Sequence, residues 1–223
     1  MGWLHPSDPD PDARVLLYLF HHSGAGATMY GGWPELLPSD IACRRVQLPG
    51  RQERHAEQPY TELDPLVTEL GRVLAAEHDG RPRVLFGHSM GALLAYRLAL
   101  SARPVPALLA VAGWAPAGLS PGDAQPGTAA LPPIPQGGLI APAMTADTTV
   151  VLGYRDDHAK LACPVVAYAG RDDQLFTPAA HRDWGSRAAS FPGVTTFPGD
   201  HFFLAGQAPA VVADLVRRIR EVT

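Results

Sequence analysis

The stretch Gly87-His88-Ser89-Met90-Gly91 sets a serine between two glycines, after the apolar run Val84-Leu85-Phe86 and before the Ala/Leu-rich Ala92-Leu93-Leu94-Ala95-Tyr96. Read as strand, G-x-S-x-G and helix, it is a sharp turn whose crowded backbone excludes side chains at the glycines and thrusts the serine hydroxyl outward. A serine so placed can attack an acyl carbonyl. It would stand at the N-terminus of the next helix, where the Met90 N–H is unspent and the helix dipole favours a developing negative charge, so Met90 supplies one oxyanion donor. The same position would suit a plain helix-capping serine. The residues that follow decide between the two.

A serine hydroxyl is a weak nucleophile without a base. In a strand–elbow–helix architecture the chain order is Ser, then Asp or Glu after a late strand, then His just before the last helix. Gly170-Arg171-Asp172-Asp173 follows the apolar run Val165 to Ala169, and Asp200-His201-Phe202 precedes the last helical pattern. His201 is therefore the expected base and Asp173 the acid that orients it and stabilises its protonated form. Asp172 is the alternative acid; Asp173 is favoured because the turn needs one more residue before a side chain can aim across the sheet. Asp200 reads as a turn residue. A second oxyanion donor is expected from the loop Phe20-His21-His22-Ser23-Gly24-Ala25-Gly26, where we assign the N–H of Ser23, a residue equally compatible with a simple turn. His88 reads as a packing or hydrogen-bonding residue beside the nucleophile. His5, His55, His78, His158 and His181 read as surface or loop residues. No H-E-x-x-H or other metal spacing occurs, so no metal is expected.

These residues need a scaffold. Val15 to Phe20, Arg45 to Leu48, Arg83 to Phe86, Ala107 to Ala112 and Val165 to Ala169 read as buried strands, and Leu63 to Ala76, Met90 to Ala102, Pro178 to Arg187 and Ala208 to Ile219 as helices. Continuous apolar strands alternating with helices imply the α/β class, a mainly parallel sheet covered on both faces. From Gly113 to Ala143 seven Pro and six Gly interrupt that rhythm. The interruption is either an idle surface excursion or a lid over a site at the strand ends, and the lid is preferred because the catalytic candidates flank it.

Composition limits the alternatives. The chain has 223 residues, 46% hydrophobic and 18% charged, with a net charge of -4 and a mean hydropathy of -0.02. Disorder is excluded, and without a long basic run nucleic acid is not an expected partner. Seventeen Arg accompany a single Lys, Lys160, which carries no Schiff-base motif. Cys43 and Cys163 are too far apart for a redox pair or zinc knuckle and read as buried hydrophobes. Neither an apolar leader nor a run of 18 apolar residues is present, so a cytoplasmic protein without membrane association is expected.

Phe20 to Gly26 followed by Tyr30, then Leu48-Pro49-Gly50-Arg51 with Arg54, then Gly87 to Ala92, and finally Phe197-Pro198-Gly199-Asp200-His201-Phe202-Phe203-Leu204 resemble the type II thioesterases of polyketide and nonribosomal peptide biosynthesis. The resemblance spans nearly the whole chain. It implies one α/β-hydrolase domain over residues 1–223 with a short lid insertion at about 114–160, hydrolysis of acyl groups from the phosphopantetheine of an acyl or peptidyl carrier protein, no other cofactor, and Ser89, Asp173 and His201 as the triad. His22 and Trp114 are candidate substrate-binding residues, and a monomer is expected. Arg51 and Arg54 are candidates for docking an acidic carrier protein. This sequence departs from the family at Phe20-His21, where Phe-Pro is usual, at Arg97, where Glu is common, and in the short Pro/Gly-rich lid. A carboxylesterase or lipase, or a noncatalytic binding protein on the same fold, are the competing readings.

Overall fold

The computed structural model describes residues 2–6, 8–119 and 140–223. Seven strands form one sheet among them: β1 (Leu4–His5), β2 (Val15–Phe20), β3 (Ile41–Val46), β4 (Arg83–His88), β5 (Leu108–Ala112), β6 (Val165–Gly170) and β7 (Val194–Phe197). Their order is β1-β3-β2-β4-β5-β6-β7, with β1 antiparallel and every other pairing parallel. Helices α1 (Leu63–Ala76), α2 (Met90–Ser101), α3 (Ala141–Gly153) and α4 (Leu204–Val222) flank it.

The strand sequences explain the layering. Every residue of β2, β4, β5 and β6 is buried, and alternate side chains feed two cores. Leu16, Tyr18, Leu85, Leu109 and Val111 pack with Leu66, Leu70 and Leu74 of α1 and with α2. Leu17, Leu19, Val84, Phe86 and Ala110 pack with Val211, Val212, Leu215 and Ile219 of α4. Apolar positions four residues apart on α1 and α4 give each helix one inward stripe.

The strand order reverses at β2, which lies between β3 on one side and β4 on the other. A reversal of this kind leaves a crevice at the carboxyl ends of the adjacent strands. The loop after β2 and the elbow after β4 therefore meet, and the glycines record how closely. A Cβ on Gly91 would lie 2.1 Å from the Phe20 carbonyl oxygen, and one on Gly87 would lie 2.1 Å from the Gly91 carbonyl oxygen.

Several expected boundaries shift. The second long strand runs over Ile41–Val46 rather than from Arg45, its β-branched start being hidden by the polar Arg44-Arg45 pair; Arg44 is fully buried and paired with Glu77. Ala180–Ser186 is 3-10 rather than α-helical. The last helix begins at Leu204, a turn early, and carries Pro209 in its second turn, where the ring removes the intrahelical N–H donor to the Ala205 carbonyl. The insertion is not free of helix as its composition suggested: α3 occupies its second half, with Pro142 at its start. Thr145, Thr148 and Thr149 each bond the carbonyl four residues back at 2.8–2.9 Å, so these three hydroxyls are satisfied along the helix's own backbone. Residues 120–139 of the expected lid lie outside the described residues.

Candidate active site

Ser89 sits at the β4–α2 junction with φ 54° and ψ -120°, a left-handed-side conformation that a non-glycine residue adopts only when its surroundings enforce it. Its N–H donates to the Ala112 carbonyl at 2.8 Å, tying the elbow to β5. Four further contacts form a chain. His201 Nε2 lies 2.9 Å from Ser89 Oγ, and His201 Nδ1 lies 2.9 Å from Asp173 Oδ2. The other Asp173 oxygen accepts the N–H groups of Leu175 and Phe176 at 2.8 and 2.9 Å. Burial pushes the Asp173 carboxyl up, but the hydrogen bond and charge of His201 and these two N–H groups outweigh it and hold the carboxyl below its ordinary range. It is ionised, so the proton on His201 belongs at Nδ1 and the lone pair at Nε2, facing the serine. Asp172 is exposed and outside this chain, whereas Asp173 is buried. Asp200 accepts the Phe202 N–H and closes the turn that presents His201.

The neighbouring imidazoles are neutral. His88, fully buried, donates from Nε2 to the His201 carbonyl at 2.7 Å and so fixes the backbone of the base. His21 donates from Nδ1 to the His22 carbonyl, and His22 from Nδ1 to the Ser23 carbonyl. His181, expected as a surface or loop residue, is fully buried in the 3-10 segment with Nδ1 on the Thr177 carbonyl. Burial lowers the affinity of His21, His88 and His181 for a proton; the Arg51 guanidinium lowers that of His21 further, and the nearness of the His201 and His22 rings that of His88. Each therefore takes up a proton on unfolding wherever the unfolded value of about 6.5 exceeds the pH. Their contribution to stability is complete above that value and is lost as pH falls toward the lowered folded-state values. Three such groups give a slope of up to about 4 kcal/mol per pH unit in the acid range. Urea midpoints are expected to drop steeply between pH 7 and pH 5; a flat profile would mean that these rings are charged when folded.

Ser89 opens into a cleft lined mainly by apolar side chains. His22, Ser23, Trp114, Met144, Phe176 and Phe202 form its walls beside Ser89 and His201. His22 and Trp114 thus both line the cleft beside Ser89. Trp114 is buried and packs on Phe176 at 4.9 Å. The α3 wall, with Met144, Thr148 and Val151, falls within the expected insertion at about 114–160, but as a helix that the Pro/Gly-rich composition does not announce. Its signal, small and apolar residues at helical spacing after Pro142, was masked by the Pro/Gly-rich stretch before it.

Arg51 and Arg54 are only 5% exposed, so neither offers a free charge to a partner. Arg51 pairs with Asp147 of α3; Arg54 pairs with Glu57, bonds the Gln47 carbonyl and stacks over the Trp3 ring at 4.3 Å. Their role is to hold loops, which corrects the docking expectation. Arg97 meets Asp157 at 2.7 Å, anchoring α2 to the segment after α3. Cys43 and Cys163 are buried free thiols. Among the described residues no cluster of three or more His, Cys, Asp or Glu could hold a metal, and no helix is long and apolar enough to cross a membrane.

Comparison with known proteins places this geometry in context. A family model described as a thioesterase domain matches residues 16–131, a span that includes the Ser89 elbow and ends before Asp173 and His201. Linear gramicidin dehydrogenase LgrE of Brevibacillus parabrevis is 31% identical over 237 residues, covering 95% of this chain and 90% of the relative. Among solved structures, the type II thioesterase BorB from the borrelidin biosynthetic cluster is 30% identical, with a TM-score of 0.78 and 96% of each chain covered. RedJ, a thioesterase from the prodiginine pathway of Streptomyces coelicolor, is 31% identical, with a TM-score of 0.81, covering 95% of this chain and 89% of its own.

Proposed function

Because the chain belongs to the thioesterase family and has the α/β-hydrolase fold, we propose that it hydrolyses acyl thioesters carried on the phosphopantetheine of an acyl or peptidyl carrier protein in polyketide or nonribosomal peptide biosynthesis. One observation supports this above the others: a serine on a strained elbow, an imidazole with its free nitrogen on that serine, and a buried carboxylate on the other nitrogen meet at an apolar cleft.

Ser89 Oγ attacks the thioester carbonyl as its proton passes to His201 Nε2, and the imidazolium is stabilised by Asp173. The carbonyl electrons move onto oxygen, which the N–H groups of Met90 and Ser23 receive. Collapse of the tetrahedral intermediate breaks the C–S bond, and His201 returns the proton to the departing thiol. Water, deprotonated by the same histidine, then attacks the Ser89 ester and releases the free acid and the regenerated serine. Water is the only co-substrate, so the chemistry calls for no cofactor beyond the arm on which the substrate arrives. His22, Trp114 and the α3 wall contact the acyl chain.

The test is a comparison of kcat/KM for one acyl chain presented as carrier-protein thioester and as a free oxygen ester. The carrier thioester is expected to win by at least tenfold. Preference for the free ester would make the protein a small-molecule carboxylesterase on the same triad.

A further inference from the structure

A buried polar cluster outside the triad joins α3 to the loop that carries Ser23. Asp147 projects from α3 and is only 1% exposed. Its Oδ2 accepts the Gly24 N–H at 2.8 Å and Arg51 Nη1 at 2.6 Å, while Oδ1 accepts Arg51 Nη2 at 2.8 Å. Arg51 also reaches the Ala25 carbonyl at 3.3 Å and the Pro49 carbonyl at 3.2 Å.

The peptide planes on either side of Ser23 are both held. In the plane before it, the His22 carbonyl accepts His21 Nδ1–H at 2.9 Å and the Ala25 N–H at 3.2 Å, so the Ser23 N–H, trans to that carbonyl, points the other way. In the plane after it, the Ser23 carbonyl accepts His22 Nδ1–H at 2.8 Å and the Gly24 N–H donates to Asp147. Of these four contacts only Asp147 comes from outside the loop, 123 residues along the chain. Gly24 has φ +75°, and a Cβ there would lie 2.7 Å from the Met144 side chain, so the loop backbone is pressed against α3. Seating a helix needs only apolar contact; a buried carboxylate with its own arginine is a costly way to do so. What an apolar side chain cannot do is accept an N–H that would otherwise be orphaned.

We propose that Asp147 is a positioning residue for the reaction. By accepting the Gly24 N–H it fixes the planes that aim the Ser23 N–H at the developing oxyanion, and Arg51 holds the carboxylate in place. The oxyanion hole is then complete only while α3 is seated on the loop. This rests on the roles given above to Ser89 and Ser23.

Two double variants isolate the acceptor. Arg51→Met/Asp147→Leu and Arg51→Met/Asp147→Asn both lack the ion pair, but only the second keeps an oxygen for the Gly24 N–H. Arg51→Met/Asp147→Ala, which also lacks an acceptor, repeats the comparison with a smaller side chain. Turnover of a soluble acyl thioester, inactivation by a fluorophosphonate and thermal midpoints are measured for each. The Leu and Ala variants are expected to lose about 10–100-fold in kcat and in inactivation rate, with KM within about twofold, since one oxyanion donor is worth about 10²–10³ and here it is misaimed rather than removed. The Asn variant is expected to recover most of that loss at a similar midpoint. Equal loss in all three, or loss in none, overturns the proposal. Ser89→Ala, run alongside, separates the two failures. If it turns over substrate, the nucleophile assignment falls; if it is inactive while the Leu and Ala variants match wild type, only the role of Asp147 falls.

Discussion

Asp173→Asn is expected to lower kcat by about 10⁴-fold with little change in KM, while Asp172→Asn stays within about twofold of wild type. The asymmetry follows from how Asp173 is held. One of its oxygens accepts two backbone N–H groups, from Leu175 and Phe176, and the other faces His201. An asparagine in that position must turn its amide oxygen toward the two backbone donors, which leaves its NH₂ facing the imidazole. His201 Nδ1 then has to accept, so the ring proton moves to Nε2, and the nitrogen facing Ser89 can no longer take a proton. The carboxyl of wild-type Asp173 is held below the usual aspartate range near 3.8. Its contribution is therefore present above that value and lost only as pH falls through the lower folded-state value, so Asp173 does not shape the activity profile near neutrality. Steady-state kinetics at pH 7 to 8 check this. A loss of less than tenfold in Asp173→Asn, or an equal loss in Asp172→Asn, would mean that the acid has been misassigned.

Ser89→Ala is expected to cost at least about 10⁴-fold in kcat and to abolish labelling by a fluorophosphonate. His201→Ala is expected to cost about as much, and the double variant no more than either single one. That non-additivity is the signature of residues that act as one unit, since removing the nucleophile leaves the base with nothing to activate. The residual rate should come from the oxyanion donors and the cleft alone. Multiplicative losses in the double variant would contradict the shared step. The strained elbow makes a control necessary: Ser89→Ala keeps a Cβ at φ 54°, so its thermal midpoint should lie close to that of wild type.

The meeting of Ser89, His201 and Asp173 was legible because each sits at a point where local sequence dictates backbone. Gly87 and Gly91 announce the elbow, since any Cβ there would strike backbone. The turn after an apolar strand separates Asp172 from Asp173 by direction, and the structure keeps only the second inside. The parallel core was equally legible in the unbroken apolar runs of β2, β4, β5 and β6. What the sequence hid depends on tertiary partners. Arg51 and Arg54 look like surface charge, yet both are buried: Asp147, far along the chain, meets Arg51, and Arg54 lies over the Trp3 ring and bonds the Gln47 carbonyl besides pairing with its near neighbour Glu57. The wall formed by α3 follows a Pro/Gly-rich stretch and starts on a proline, so its helical spacing does not stand out. The short β1 and β7, of 2 and 4 residues, are too brief for an alternating pattern to stand out and are fixed by pairing with β3 and β6.

Hydrolysis of a carrier-bound acyl thioester through Ser89 is followed most directly by intact-protein mass spectrometry. An acyl carrier protein loaded on its phosphopantetheine with short, long and product-like chains is incubated with wild type and with Ser89→Ala, and the acyl mass on the carrier is followed in time. Loss of the acyl mass with wild type, at a rate set by the chain, and its persistence with Ser89→Ala is the predicted result. Carrier that stays fully acylated with wild type, or that is deacylated equally by Ser89→Ala, would contradict it.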